Sequence, residues 1–198
     1  RPSSVDKPAP PERVLSTRLE EALDPETARL SGTALHALLQ HLGKVERARW
    51  PAVLPRALET LLPEFPDRHA ALAARALSIV SRPELAFLFG PHSRAEVPFL
   101  VSALRRGEPV SLSGRIDRVV VDDSGVLVID YKSDATVPGR VADVPGNYRT
   151  QLGLYALVAG QLFPGRPVRA AILWTELESL MNLPHELLAE ARADFTLR

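Results

Sequence analysis

The sequence predicts an α+β domain, close to an α/β arrangement, in which a small mixed β-sheet is flanked by helices and preceded by an N-terminal helical region. Three observations carry this expectation. Apolar residues recur at helical spacing through the first part of the chain, and prolines punctuate them. A pattern of two β-strands joined by a tight turn follows at 110–132. A helix-length segment then separates that hairpin from a further apolar run at 168–175 and a last helix.

Taken in order, residues 1 to about 13 (RPSSVDKPAPPER) are rich in proline and polar groups and read as an extended tether. We set the tether at 1–25 and one folded domain at 26–198. A helix is expected over 31–42, where Leu30, Ala34 and Leu38, then Leu35, Leu39 and Leu42, share a face. Helical segments follow over 52–62 and 68–80, bounded by Pro51, Pro63, Pro66 and Pro83, with a short helix over 83–88. Strand character appears at 95–101, 110–121 and 126–132. The stretch 133–146 has the Pro and Gly spacing of a loop. Asn147 is the expected N-cap of a helix through Gln161. A strand over 168–175 comes next, and Pro184 opens a final helix through Ala193.

Composition narrows the function. The chain has 198 residues, 45% of them hydrophobic, which suits one globular domain with a sizeable core. It has no cysteine, which excludes disulfide scaffolds, thiolate zinc sites and cysteine-held iron–sulfur clusters and suits a reducing cytoplasm. No apolar run approaches the ~20 residues of a membrane span, and no signal-peptide pattern opens the chain. It starts at Arg1, as a piece excised from something larger would. Formal net charge is zero, and the basic pairs Arg105–Arg106, Arg115–Arg118 and Arg166–Arg169 form no long stripe. A neutral domain that handles nucleic acid needs metal, a local groove or attached parts.

The hairpin GRIDRVVVDDSGVLVIDYK, from Gly114 to Lys132, holds the densest chemistry. Alternation along the second strand puts Val128, Asp130 and Lys132 on one face. A two- or four-residue turn at Asp122-Asp123-Ser124-Gly125 sets Asp117 opposite Asp130, with Cβ atoms about 4.5–5.5 Å apart, whereas a three- or five-residue turn shifts the register by one and separates them. A divalent cation between the two carboxylates would relieve their repulsion. The alternative is a solvated strand in which Asp130 pairs with Lys132, and Asp117 with Arg115 or Arg118. On the following helix, Tyr148, Gln151 and Tyr155 share a face; alternatively Tyr155 packs in the core and Gln151 is solvated. His36 lies on the apolar-patterned helix, where a core or surface role competes with metal ligation. His41 and His69 have no comparable context, and His92 and His185, at loop or cap positions, read as structural.

Four runs in order, GTALHALLQ, GRIDRVV, VLVIDYKS and YRTQLGLYA, carry GxxxH, GxxD, DxK and QxxxY spacings. Together they resemble the RecB-type nuclease module of the PD-(D/E)XK superfamily, in its AddA-like branch. The resemblance implies a restriction-endonuclease-like core and a Mg²⁺-dependent deoxyribonuclease, with Mn²⁺ as a substitute. It implies that Asp117 and Asp130 are acidic metal ligands, completed by His36 and the backbone carbonyl of Tyr131. Lys132 would orient and activate the attacking water. Gln151 and Tyr155 would lie beside the DNA and the active site, and Glu96 would be an outer acidic residue. It further implies DNA partners (single strands or duplex ends), helicase domains upstream in the parent chain, an AddB-like subunit, no membrane, and a role in double-strand break repair. Relatives with an iron–sulfur cluster are excluded by the absence of cysteine. No Walker A loop occurs here, so any motor lies upstream. A stand-alone exonuclease or restriction-type endonuclease, and a silent DNA-binding or docking module, are the alternatives.

Overall fold

A computed structural model describes residues 13–15 and 24–198. Most of the expected tether over 1–25 therefore lies outside the described residues; within it, strand β1 (Arg13–Leu15) pairs antiparallel with β5 (Thr136–Pro138).

Helix α1 (Pro25–Leu42) begins before the expected Ser31 because the Asp24 carboxylate accepts the backbone N–H groups of Glu26 and Thr27. Pro25 then sits in the first turn, where a missing N–H costs nothing. Helices α2 (Trp50–Leu61) and α3 (His69–Ser81) fall close to their expected spans. The expected short helix over 83–88 is a 3₁₀ turn at Ala86–Phe89. Leu35, Leu38, Leu39 and Leu42 of α1 form one buried stripe with Leu54 and Leu58 of α2 and Leu72, Ala76 and Ile79 of α3. Burying each of these leucine and isoleucine side chains contributes about 1.5–3 kcal/mol.

The main sheet contains β2 (Ser93–Arg105), β3 (Glu108–Asp122), β4 (Gly125–Lys132), β6 (Val168–Trp174), β7 (Ser179–Leu183) and β8 (Phe195–Leu197). Their order is β7-β6-β4-β3-β2-β8. The β4–β6 pair is parallel, as a crossover through α4 (Gly146–Leu162) requires, and the other pairs are antiparallel. Leu127, Ile129 and Tyr131 face the α1–α3 layer. Val126 and Val128, with Ile172 and Trp174 of β6, face α4 and α5 (His185–Ala191). Burial on both faces explains why β4 reads as a near-continuous apolar run rather than an alternating one.

Several local expectations are corrected. Strands β2 and β3 are longer than expected and form one hairpin arm. The stretch 133–146 is not all loop: it holds β5 and a 3₁₀ turn at Val141–Asp143. Helix α4 is preceded by Pro145, not capped by Asn147, which lies inside its first turn. Proline's fixed φ lets the chain enter the helix without a side-chain cap. Strands β7 and β8 are additions to the expected set; each is short and owes its existence to pairing with a distant partner.

The turn between β3 and β4 has two residues, Asp123 and Ser124, between paired Asp122 and Gly125. The Ser124 N–H donates to Asp122 Oδ1 at 2.8 Å. Gly125 adopts φ +128°, which only glycine tolerates without strain. This turn fixes the register of everything along the hairpin.

Candidate active site

Pairing between β3 and β4 ends at Arg118 and Ile129, so Asp117 and Asp130 stand opposite one another one step beyond it. Asp117 Oδ2 accepts the Tyr131 N–H at 2.8 Å. Lys132 shares the face of Asp130, and its Nζ lies 2.7 Å from Asp130 Oδ2. That oxygen is buried, and the ammonium is held against it as an ion pair. The Asp130 and Lys132 side chains are 5% and 16% exposed, so the solvated-strand alternative does not hold for this pair.

Helix α4 closes over the lysine. Lys132 Nζ donates to Gln151 Oε1 at 2.8 Å, and Gln151 Nε2 donates to the Tyr155 hydroxyl at 3.0 Å. Gln151 is thus not simply solvated. The Lys132 ammonium lies 4.2 Å from the centre of the Tyr148 ring, whose hydroxyl donates to Asp134 Oδ2 at 2.9 Å. Tyr148 and Asp134 therefore join the lysine seat. Helical spacing marks Tyr148 only as sharing a face with Gln151 and Tyr155, and Asp134 carries no local signal.

Electrostatics reflect crowding. Burial first, then the neighbouring Asp117 charge, raise the Asp130 carboxyl to about 7 despite Lys132. Burial also raises Asp117, partly offset by its bond from the Tyr131 N–H. Two desolvated carboxyls that resist ionising side by side are what a cation relieves. Their oxygens fit a hard divalent ion that takes one or two carboxylates. Among the described residues, no three His, Cys, Asp or Glu side chains close into a ready-made cage.

His36 comes from α1 to the end of β4. Its Nε2 lies 3.3 Å from Ser133 Oγ, and its ring meets Tyr131 edge-on at 5.5 Å. Burial lowers its pKa below 6.5, against the attraction of Asp130, so the imidazole is kept neutral and able to ligate. Gly32, one turn earlier, leaves room for Ser133, whose Cβ would be 3.4 Å from an added methyl.

Glu96 stands on β2 between the pairs Ala95–Arg118 and Val97–Ile116, in the same row as Asp117. Arg115 lies 3.8 Å from it, the Glu96 side chain is 40% exposed, and its charge helps raise the Asp117 carboxyl. Arg118, grouped with Arg115 as a basic surface pair in the sequence, is instead 2% exposed. Alternation with Val120 is the signal that it points inward.

Two clefts flank the site. One, about 420 Å³, is lined by Arg29, Thr33, His36, Lys132, Ser133 and Asp134. The other, about 300 Å³, is lined by Phe99, Leu112, Asn147, Gln151 and Tyr155. A larger cavity of about 520 Å³ lies apart, between α4, α5 and the C-terminal residues, and contains none of these groups.

Residues 12–194 match the family described as the PD-(D/E)XK nuclease superfamily. The chain is 31% identical over 160 residues to the ATP-dependent helicase/nuclease subunit (AddA) of Desulforamulus reducens, covering 72% of this chain and 12% of that protein. The protein of the same name from Pelotomaculum thermopropionicum is 28% identical over 169 residues, covering 75% and 13%. A CRISPR-associated exonuclease Cas4/endonuclease Cas1 fusion of Myxococcus xanthus is 30% identical over 80 residues, covering 39% and 14%. The chain spans about an eighth of the length of the helicase/nuclease relatives.

Proposed function

The chain belongs to the PD-(D/E)XK nuclease superfamily, and we propose that it is the Mg²⁺-dependent deoxyribonuclease domain of an AddA-type helicase–nuclease. The observation that carries this is the convergence of Asp117, Asp130 and Lys132 at one strand end, with the two buried carboxyls facing each other. Asp117 and Asp130 would hold the ion, with His36 and the Tyr131 carbonyl beside them. When bound, a divalent cation neutralises phosphate charge and makes water a stronger nucleophile.

The chain's own residues do the rest. The Tyr131 N–H holds Asp117 in place. Gln151 and the Tyr148 ring hold the Lys132 ammonium, so its charge meets the phosphate without reorganising. Asp130, beside it, keeps Lys132 directed into the site. Gln151 and Tyr155 line the second cleft, where the strand being cut would pass. Glu96 would act at the rim.

In the parent protein we place helicase domains upstream, an AddB-like second subunit, and ATP-dependent exonuclease action on single strands or duplex ends during recombinational repair in the cytoplasm. The name of the relatives, which couples helicase to nuclease and ATP to both, supports this arrangement. Among the described residues, no helix is long and apolar enough to cross a membrane.

The test is cleavage of a labelled single strand with Mg²⁺ or Mn²⁺. Asp117→Ala, Asp130→Ala and Lys132→Ala should each reduce cleavage to background with the fold retained by circular dichroism. Full activity in any one of them would overturn the assignment.

A further inference from the structure

Arg118 is a fully desolvated cation whose described partners are all neutral. Its Nε donates to the Tyr131 hydroxyl at 2.7 Å, Nη1 to Ser93 Oγ at 3.0 Å and Nη2 to the Leu39 carbonyl at 3.1 Å. The guanidinium also lies 4.7 Å from the centre of the Phe89 ring. Taking a guanidinium out of water without a counter-ion is costly, and an apolar side chain of similar volume would fill this core at less cost.

What the charge does there follows from where its partners lie. Leu39 is one helical turn beyond His36 on α1. Tyr131 lies on β4 between Asp130 and Lys132, its ring against His36 and its N–H on Asp117. Ser93 begins β2. One planar fork thus ties the helix that carries His36 to the strand that carries Asp130 and Lys132. Arg118 itself is the residue next to Asp117. Gly43, just past the end of α1, keeps the fork in place: a Cβ there would come within 3.0 Å of Nη2.

We propose that Arg118 is a positioning residue that locks α1 onto β4 and so sets where His36 stands relative to Asp117 and Asp130. The proposal rests on the nuclease reading of the site. Groups one step removed from metal ligands typically govern metal affinity or activity by about 10- to 100-fold. A guanidinium suits this task because its donors are fixed in one plane, whereas lysine offers a single flexible ammonium.

The experiment compares Arg118→Met, Arg118→Lys and Tyr131→Phe with Leu58→Ala, a core control in α2 away from the site. For each, Mn²⁺ affinity is measured by electron paramagnetic resonance at fixed pH, kcat and KM on a short single strand, and the unfolding midpoint in EDTA. Arg118→Met should weaken Mn²⁺ binding about 10- to 100-fold and lower kcat with KM for DNA unchanged. Arg118→Lys should recover part of both, and Tyr131→Phe should show a smaller loss of the same kind. The Arg118→Met/Tyr131→Phe double variant should lose little more than Arg118→Met, since both act through one contact. If Arg118→Met does not fold, Arg118→Lys and Tyr131→Phe decide by the same readings. Lower midpoints with Mn²⁺ affinity and kcat unchanged, as expected for Leu58→Ala, would overturn the proposal and leave the nuclease reading intact. Unchanged Mn²⁺ affinity in Asp130→Ala would overturn both.

Discussion

Asp130→Asn should stabilise the metal-free domain, and by an amount that grows with pH. Asp130 is buried beside Asp117, and its carboxyl is raised from 3.8 to about 7. Between those values the native state holds a proton that the unfolded chain has released. Native stability therefore falls as pH rises through that window and levels off above it. At about 1.4 kcal/mol per pH unit, the shift from 3.8 to about 7 corresponds to a native-state cost on the order of 4 kcal/mol at pH 8. Asparagine keeps the shape and has no such titration, while Lys132 retains its bond to Gln151. The assay is urea unfolding in EDTA from pH 4.5 to 8.5 for both chains. Their difference in stability should be small at the acid end, widen up to about pH 7 and then stay constant. Groups remote from the pair cancel in that difference, while Asp117, which faces Asp130, contributes to it. Adding Mg²⁺ should stabilise the parent and not the variant, because an ion that binds only the native state raises its stability. Two parallel stability curves, or equal Mg²⁺ stabilisation of both, would refute the reasoning.

His36→Ala should weaken Mn²⁺ binding, and because burial holds the imidazole below 6.5, Mn²⁺ affinity of the parent should not yet decline at pH 6.5 through this residue; a His36-dependent loss centred at or above 6.5 would contradict the placement. Tyr148→Leu should lower kcat more than Tyr148→Phe, since phenylalanine keeps the ring face under Lys132; a desolvated contact of this kind is worth about 2 kcal/mol, so steady-state kinetics should resolve the two. Gly153→Ala should cost about 1–3 kcal/mol by thermal unfolding, because its Cβ would come within 2.8 Å of the Leu188 carbonyl and push α5 off α4. With zero net charge, the domain should bind DNA weakly and with a shallow salt dependence in Ca²⁺ across a salt series; nanomolar binding to internal duplex at physiological salt would favour a stand-alone endonuclease.

The β3–β4 hairpin is legible in the sequence because its turn and its alternation depend on neighbours along the chain, while its register waits on the turn length. A two-residue turn between Asp122 and Gly125 suffices to set Asp117 against Asp130. The stripe on α1 is legible for the same reason, though not its start, which a capping aspartate and a proline at Asp24-Pro25 set. Strands β7 and β8 are not legible: Ser179–Leu183 and Phe195–Leu197 are short, and partners far along the chain decide their conformation. Within the site, spacing gives Gln151 and Tyr155 one helix face and the family resemblance brings that face to Lys132, but the seat made by Tyr148 and Asp134 depends on the loop's path. Arg118 reads as a surface base because charge alone argues for solvent, while its strand parity argues for the core, where it lies.

The placement of charge also reconciles a neutral chain with an anionic substrate. Glu96, Asp117 and Asp130 occupy one row across three neighbouring strands, where the β3–β4 ladder ends. Each outer member has a cation at hand: Arg115 lies 3.8 Å from Glu96, and Lys132 lies 2.7 Å from Asp130. Asp117, in the middle, is held by the Tyr131 N–H instead. The row is therefore short of positive charge at its centre, between the two carboxyls whose ionisation burial opposes most. A dication entering there would complete a balance the protein leaves open, without a basic surface that would bind duplex indiscriminately. Under the proposed function, such a site would favour a phosphate brought to it over one that must be drawn in from solution. That is the behaviour expected of a nuclease fed by a motor, for which tethering supplies an effective concentration in the millimolar range.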